Sequence, residues 1–247
     1  MRLFFTNLIL LLLLIGCKQS DKLTFEALNL SQNNCDQCPK ITINLPKANK
    51  NLKIGEAINT ALKEEIIAQL TFEEENEILE IQDAIRSFNS AYKNVNEMGD
   101  GELAAWEARI DAAITYEDPR MITIKMESYL FTGGAHGYGT SRFLNFNKQK
   151  GSEIEDWELF NDRNDFLRFA EHRFREQENI PEGEPINSTG YMFERGAFYL
   201  PENIGFTEKG IKLLYNEYEV ASYADGPIEM TLPYKEVEKY LSGEIKS

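Results

Sequence analysis

Between Trp106 and Leu130 the sequence leaves helical spacing for strict alternation. Trp106, Ala108, Ile110, Ala112, Ile114 and Tyr116 fall on one face, with Glu107, Arg109, Asp111 and Thr115 on the other. Successive strand side chains point to opposite sides of a sheet, so this pattern predicts a long strand with one face buried. Glu117-Asp118-Pro119-Arg120 turns the chain, and Ile122, Ile124, Met126 and Leu130 alternate again on the return. An antiparallel hairpin at the centre of the chain restricts the fold to those that cover its apolar face with another layer.

The preceding residues supply that layer. Ile41 to Leu45 reads as a first strand ended by Pro46. Ile54, Ile58, Ala61, Leu62 and Ile66 then recur at helical spacing, followed by Ile78, Ile81, Ile85, Phe88, Tyr92 and Val95 in steps of three and four. The second stripe is narrow and under three heptads long, which favours packing on a sheet over a coiled coil. Met98-Gly99-Asp100-Gly101 breaks it. Beyond Ser152 a helix is expected from about Asp165 to Glu178. Short strands are expected at Ala197–Leu200, Ile211–Tyr215, Tyr218–Tyr223 and Ile228–Leu232, and a last short helix from Tyr234 through Leu241. Helices segregated from antiparallel hairpins define an α+β class with a mixed, mainly antiparallel sheet.

The hairpin runs directly into Tyr129-Leu-Phe-Thr-Gly-Gly-Ala-His-Gly-Tyr-Gly, where Gly133, Gly134, Gly137 and Gly139 surround His136, with Tyr138 between the last two glycines. Phosphate-cradling glycines sit where a strand hands over to a helix N-terminus, and this cluster lies between two strand patterns. Glycine tolerates positive φ and close backbone approach, so the cluster reads as a backbone corner with a structural imidazole. A ligand or partner site at Gly133, Gly134, His136, Gly137 and Tyr138 is the alternative reading.

The chain opens with Arg2 and an apolar run, Leu8 to Ile15, ending in Leu14-Ile15-Gly16-Cys17. A bilayer-spanning helix needs about 20 apolar residues, so the run is a signal-peptide core rather than a stop-transfer anchor. Leu-Ile-Gly-Cys resembles a lipobox, which makes Cys17 the lipidated first residue of the mature protein, at the end of the signal-peptide region 1–17. Lys18 in place of an aspartate favours the outer membrane of a Gram-negative envelope. Residues 18–38 read as a polar tether that ends in Cys35 and Cys38. Export places those cysteines in an oxidising compartment. Pro39 and a strand follow them, not the helix N-terminus that would lower a redox thiol's pKa, so a small structural disulfide is expected.

Removing residues 1–17 discards only Arg2 among the charges, leaving 25 Lys and Arg against 41 Asp and Glu, a formal charge of −16. A field of that sign repels nucleic acid and attracts cationic partners, although acidity also simply keeps an exported protein soluble. No Gly-x-Ser-x-Gly, His-Glu-x-x-His or Walker motif is found. No cofactor or metal is predicted. His136 and His172 would have to meet in space to form a metal site, and nothing in the sequence brings them together.

The run Cys38-Pro-Lys-Ile-Thr-Ile-Asn-Leu-Pro, the early helix, the long hairpin and Tyr129–Gly139 resemble the module named after the peptidoglycan deacetylase PdaC, where it accompanies a separate catalytic domain. Phe143–Phe160 and Phe198–Leu241, with Asn216-Glu-Tyr-Glu-Val-Ala-Ser-Tyr-Ala-Asp-Gly-Pro, resemble the domain of unknown function in the ectodomain of the lysozyme-binding anti-sigma factor RsiV. The resemblance implies two intimately joined modules, residues 39–146 and 147–247. It also implies a lipid-anchored, non-catalytic envelope binding protein that captures a cationic protein such as lysozyme, or a peptidoglycan fragment. A wall-acting enzyme centred near His136 and a purely structural lipoprotein are the competing expectations.

Overall fold

A computed structural model describes residues 22–33, 38–50, 52–72, 78–98 and 104–245. Six strands form one sheet in chain order: β1 (Phe25–Gln32), β2 (Lys40–Ala48), β3 (Glu107–Glu117), β4 (Met121–Phe131), β5 (Tyr138–Asn147) and β6 (Ser152–Glu153). Every neighbouring pair is antiparallel except β2–β3, which is parallel. Parallel neighbours need a crossover, and α1 (Lys53–Leu70) with α2 (Ile81–Met98) provides it.

The two helices cover one face of the sheet. Ile58, Leu62 and Ile66 of α1 and Ala84 and Phe88 of α2 are buried against Ile41, Ile43, Ile110, Ile124 and Phe146. Trp106 seals the end of this layer, its ring 5.3–5.8 Å from those of Phe72, Phe88 and Tyr92. Burying such side chains contributes about 1.5–3 kcal/mol each, so the period-3.6 stripes outweigh the charged remainder of both helices. No described helix is long and apolar enough to cross a membrane.

Several details depart from the expected pattern. Residues 25–32, within the stretch read as tether, form β1, because Phe25, Leu28 and Leu30 pack on the core edge while their backbone pairs with β2. Pro46 does not end its strand: it sits within β2, which runs on to Ala48. Alternation along β3 also fails at its far end. The register shifts between Ile114 and Tyr116, leaving Ile114 37% exposed and turning Tyr116 toward a second core, as an extra residue in one strand requires. Val95, the last residue of the second apolar stripe, is exposed.

The second core belongs to α3 (Arg163–Gln177), a meander of β7 (Asn203–Thr207), β8 (Gly210–Tyr215) and β9 (Ile228–Pro233), and the single turn α4 (Tyr234–Val237). Asp162 caps α3 by accepting from the amides of Asn164 and Asp165 at 2.9 and 3.0 Å. Phe174 of α3 meets Phe193, Phe198 and Tyr215 at ring distances of 5.3–6.1 Å. The predicted strand at 197–200 is irregular backbone: Phe198 and Leu200 are buried as core side chains, and burial alone gave the segment its strand-like composition. Residues 218–223 are likewise not a strand, and β7 went unpredicted because its pattern, Asn-Ile-Gly-Phe-Thr, buries both faces.

The modules are joined through the outer face of the first sheet. The six-stranded sheet runs past residue 146 into β6, and β7 lies across β3, β4 and β5. At the seam Asn145 accepts from the Thr123 hydroxyl at 2.8 Å and donates to the Ile204 carbonyl at 2.7 Å. Thr115 donates to the Phe206 carbonyl at 3.0 Å. Gly205 lies beneath the Phe143 ring, where an added Cβ would come within 2.1 Å of a ring carbon. Thr123 and Asn145 are buried, and pairing them removes the cost of burying polar groups.

Candidate functional site

The glycine cluster closes the β4–β5 hairpin, and the backbone-corner reading holds for its geometry. Gly133 and Gly134 have φ of +98° and +88°, the region that favours glycine. Gly137 serves close approach instead: its Cα lies under the Tyr129 ring, and a Cβ there would be 2.4 Å from Cζ. Tyr129 in turn carries the Arg109 guanidinium 5.2 Å from its ring centre.

A turn of the second module docks onto this corner. The Asn216 side chain accepts from the Ser141 amide at 2.8 Å and donates to the Ser141 carbonyl at 3.1 Å, imitating a strand partner. Tyr138 donates its hydroxyl to the Glu217 carbonyl at 3.2 Å. Further along, Ser222 and Asp225 form a capping box around a 3₁₀ turn at Tyr223–Asp225, and Gly226 leaves it at φ +68°.

Docking assembles a row of four rings from both modules. His136 stacks on Tyr223 with centroids 4.0 Å apart, Tyr223 on Tyr218 at 5.6 Å, and Tyr218 on Tyr138 at 6.4 Å, with interplanar angles between 20° and 28°. Tyr138 and Tyr218 are 40% and 55% exposed. Tyr218 holds φ +67°, a left-handed conformation that is costly for a bulky side chain. Such strain persists only where the surrounding structure imposes it. The His136 Nδ1 lies 2.9 Å from the Gly137 carbonyl, which can only accept, so Nδ1 carries the proton in this contact.

Carboxylates border the row. Burial, then the nearby Glu217 and Glu219 charges, push the Tyr138 phenol up from its usual range. Glu217 has one carboxylate oxygen buried without a hydrogen-bond partner. Burial also raises the Glu219 carboxyl, which accepts from the Asn216 amide at 2.8 Å. On the other side of the 3₁₀ turn, Asp225 lines a polar hollow of about 380 Å³ with Glu178 and Tyr191. Aromatic faces and carboxylates together attract cations, above all planar guanidinium groups.

The structure unites Gly133, Gly134, His136, Gly137 and Tyr138 in one site and separates them from His172, which lies on α3 with its ring nitrogens 3.8 Å from Glu176 and Glu182. No group of three or more metal-ligating side chains occurs among the described residues. Cys17 and Cys35 lie outside the described residues, and Cys38 is half-buried beside a hollow of about 390 Å³ lined by Gln32, Asn89 and Tyr92. The sequence reading missed Tyr218, Tyr223 and Glu217 as site residues. Their signal is the density of tyrosines and acids between Tyr215 and Asp225, which is too polar for a buried strand.

Fold and site together define a two-module α+β protein whose open aromatic surface is built across the module joint. Residues 32–138 match the family described as Deacetylase PdaC, and residues 157–235 match the protein family of unknown function DUF3298. The chain is thus similar to a PdaC module over its first part and to a DUF3298 module over its second, matches that indicate an envelope-associated protein. Two crystal structures share the fold across both modules. A DUF3298 family member from Bacteroides fragilis NCTC 9343 aligns with a TM-score of 0.68 at 18% identity, covering 90% of this chain and 94% of that one. A DUF3298 family protein from Pseudomonas aeruginosa PAO1 aligns with a TM-score of 0.62 at 16% identity, covering 90% and 95%. No curated protein matches the sequence.

Proposed function

We propose that this chain is a lipid-anchored binding protein of the cell envelope that captures a cationic protein, with lysozyme-type muramidases as the class in view, on the surface formed by His136, Tyr223, Tyr218 and Tyr138. The observation that carries this reading is the row itself: exposed rings from two modules, one held at a strained φ, bordered by Glu217, Glu219 and Asp225. The excess of 41 acidic over 26 basic residues supplies a long-range field of the same sense. The anchor is the acylated Cys17, the destination is the outer membrane, and Cys35 and Cys38 close a disulfide ahead of β2.

Titration of the unlipidated chain with hen lysozyme at low and high salt tests the reading. The Debye length falls from about 10 Å at 0.1 M to about 3 Å at 1 M, so association should slow steeply while dissociation changes little. Absence of a complex at low salt, together with turnover of a muropeptide that is lost in His136→Ala, would replace binding by catalysis. Intact mass of the membrane fraction tests the anchor: residues 1–16 absent and acyl chains present on Cys17, against an unlipidated Cys17→Ala.

A further inference from the structure

The strand registers place the aromatic row and the chain's entry at opposite ends of the same sheet. At one end of β4 Leu130 pairs with Tyr138, and at the other Met121 pairs with Asn147. Eleven residues of β4 at about 3.4 Å each separate the two ends by roughly 35 Å. The far end is where the chain enters. The Thr24 carbonyl accepts from the Asn49 amide at 2.9 Å, and the Lys22 carbonyl accepts from the Asn49 side chain at 3.2 Å. Only four residues separate Cys17 from Lys22, five Cα steps with a reach of at most about 18 Å. An acyl chain on Cys17 therefore holds this end, and not the aromatic row, near the bilayer.

The surface there differs from the rest of the acidic chain. Contacts connect Lys22 to Asn49 and its neighbour Lys50, the Lys53 ammonium to the Lys150 carbonyl at 2.9 Å, and the Lys148 amide to the Arg120 carbonyl at 2.6 Å. Lys47, Lys148 and Lys150 are paired with Glu26, Glu117, Glu158 and Glu244. Asp118 is engaged by the Tyr116 hydroxyl and the amides of Arg120 and Met121. Lys22, Lys50, Lys53 and Arg120 have no carboxylate partner among the described residues; the acids there without a salt bridge are Glu56, one helical turn from Lys53, and Glu155 and Asp156, which precede Trp157. Next to Glu158, which pairs with Lys150 at 4.0 Å, Trp157 stands 67% exposed in the 3₁₀ turn Asp156–Glu158. A tryptophan with an apolar body and a polar N–H suits the headgroup level of a membrane, and unpaired cations suit its anionic lipids.

Resting on the Cys17 anchor proposed above, we infer that the end of the sheet bearing Lys22, Lys50, Lys53, Arg120 and Trp157 is a docking face for anionic lipid headgroups. It lies against the bilayer and presents the aromatic row away from it. The lipidated protein is reconstituted into vesicles of phosphatidylethanolamine and phosphatidylglycerol containing a doxyl-labelled lipid. Trp157 fluorescence should be quenched, and Trp157→Phe should leave only the unquenched signal of buried Trp106. In flotation, the unlipidated chain should bind phosphatidylglycerol vesicles over phosphatidylcholine ones. Lys50→Gln and Lys53→Gln should each reduce that binding roughly fivefold. An acylated, vesicle-bound protein whose Trp157 is not quenched, with flotation indifferent to both lysines, would overturn docking while leaving the anchor intact.

Discussion

Replacing Asn145 by alanine strikes the seam between the modules without touching the aromatic row. Asn145 is 2% exposed, and its amide serves both directions: it accepts from Thr123 in β4 and donates to the Ile204 carbonyl of β7. Two net hydrogen bonds of about 0.5–1.5 kcal/mol each are lost, and a buried carbonyl is left without its donor at a further ~1 kcal/mol or more. The sum is about 2–4 kcal/mol. For a chain of this size each kcal/mol shifts Tm by about 2–4 °C, so a drop of roughly 5–15 °C is expected by circular dichroism or calorimetry. Because both cores meet at this seam, urea unfolding should also separate into two transitions or lose steepness. In Asn145→Asp the buried carboxylate repels the Ile204 carbonyl and its pKa rises, so that variant should regain stability as pH falls. Melting of Asn145→Ala within about 2 °C of the wild type, with a single unchanged transition, would refute the claim that this side chain locks the modules.

Gly133→Val and Gly134→Val should each lower stability by about 1–3 kcal/mol, because both hold φ near +90°, read as the urea midpoint against wild type. Burial, opposed by Arg142 and aided by the neighbouring acids, raises the Glu153 carboxyl to about 7, and burial raises Asp156 to about 6. A raised carboxyl binds its proton more tightly when folded, so stability should fall as pH rises from about 4.5 to about 7. Glu153 as a whole is exposed while its carboxyl is partly desolvated among neighbouring acids, so screening limits its share to ~1 kcal/mol or less, and Glu153→Gln should flatten the slope in a pH series of melts. Alkylation without reductant should find Cys35 and Cys38 blocked. Reducing them should cost at or below the low end of about 2–4 kcal/mol, since the loop they close is short.

The sheet's centre, both crossover helices and the α+β class were legible because burial there follows a single period on a single face. Legibility failed where two layers share a residue. Thr123 and Asn145 look like outward polar positions, yet the second module buries them, and no local pattern announces a partner more than fifty residues away. The β3 register shift turns Tyr116 against the alternation for the same reason. At the site, the β4–β5 corner was readable from Gly133, Gly134 and His136, because glycine at a strand junction has few uses. Tyr218 and Tyr223 were not, since their role depends on the Asn216 clamp onto Ser141, a contact between modules.

Binding of hen lysozyme by Tyr218→Gly, measured beside the melting of the same protein, tests the capture surface most directly. Glycine accepts φ +67° freely, so the substitution removes an exposed ring while relieving backbone strain. Stability should stay level or rise by up to about 1 kcal/mol. Affinity at low salt should fall by at least ~10-fold, as expected for an aromatic anchor at the heart of an interface. A Tyr218→Gly protein that binds as tightly as wild type would contradict the assignment of this row as the capture surface.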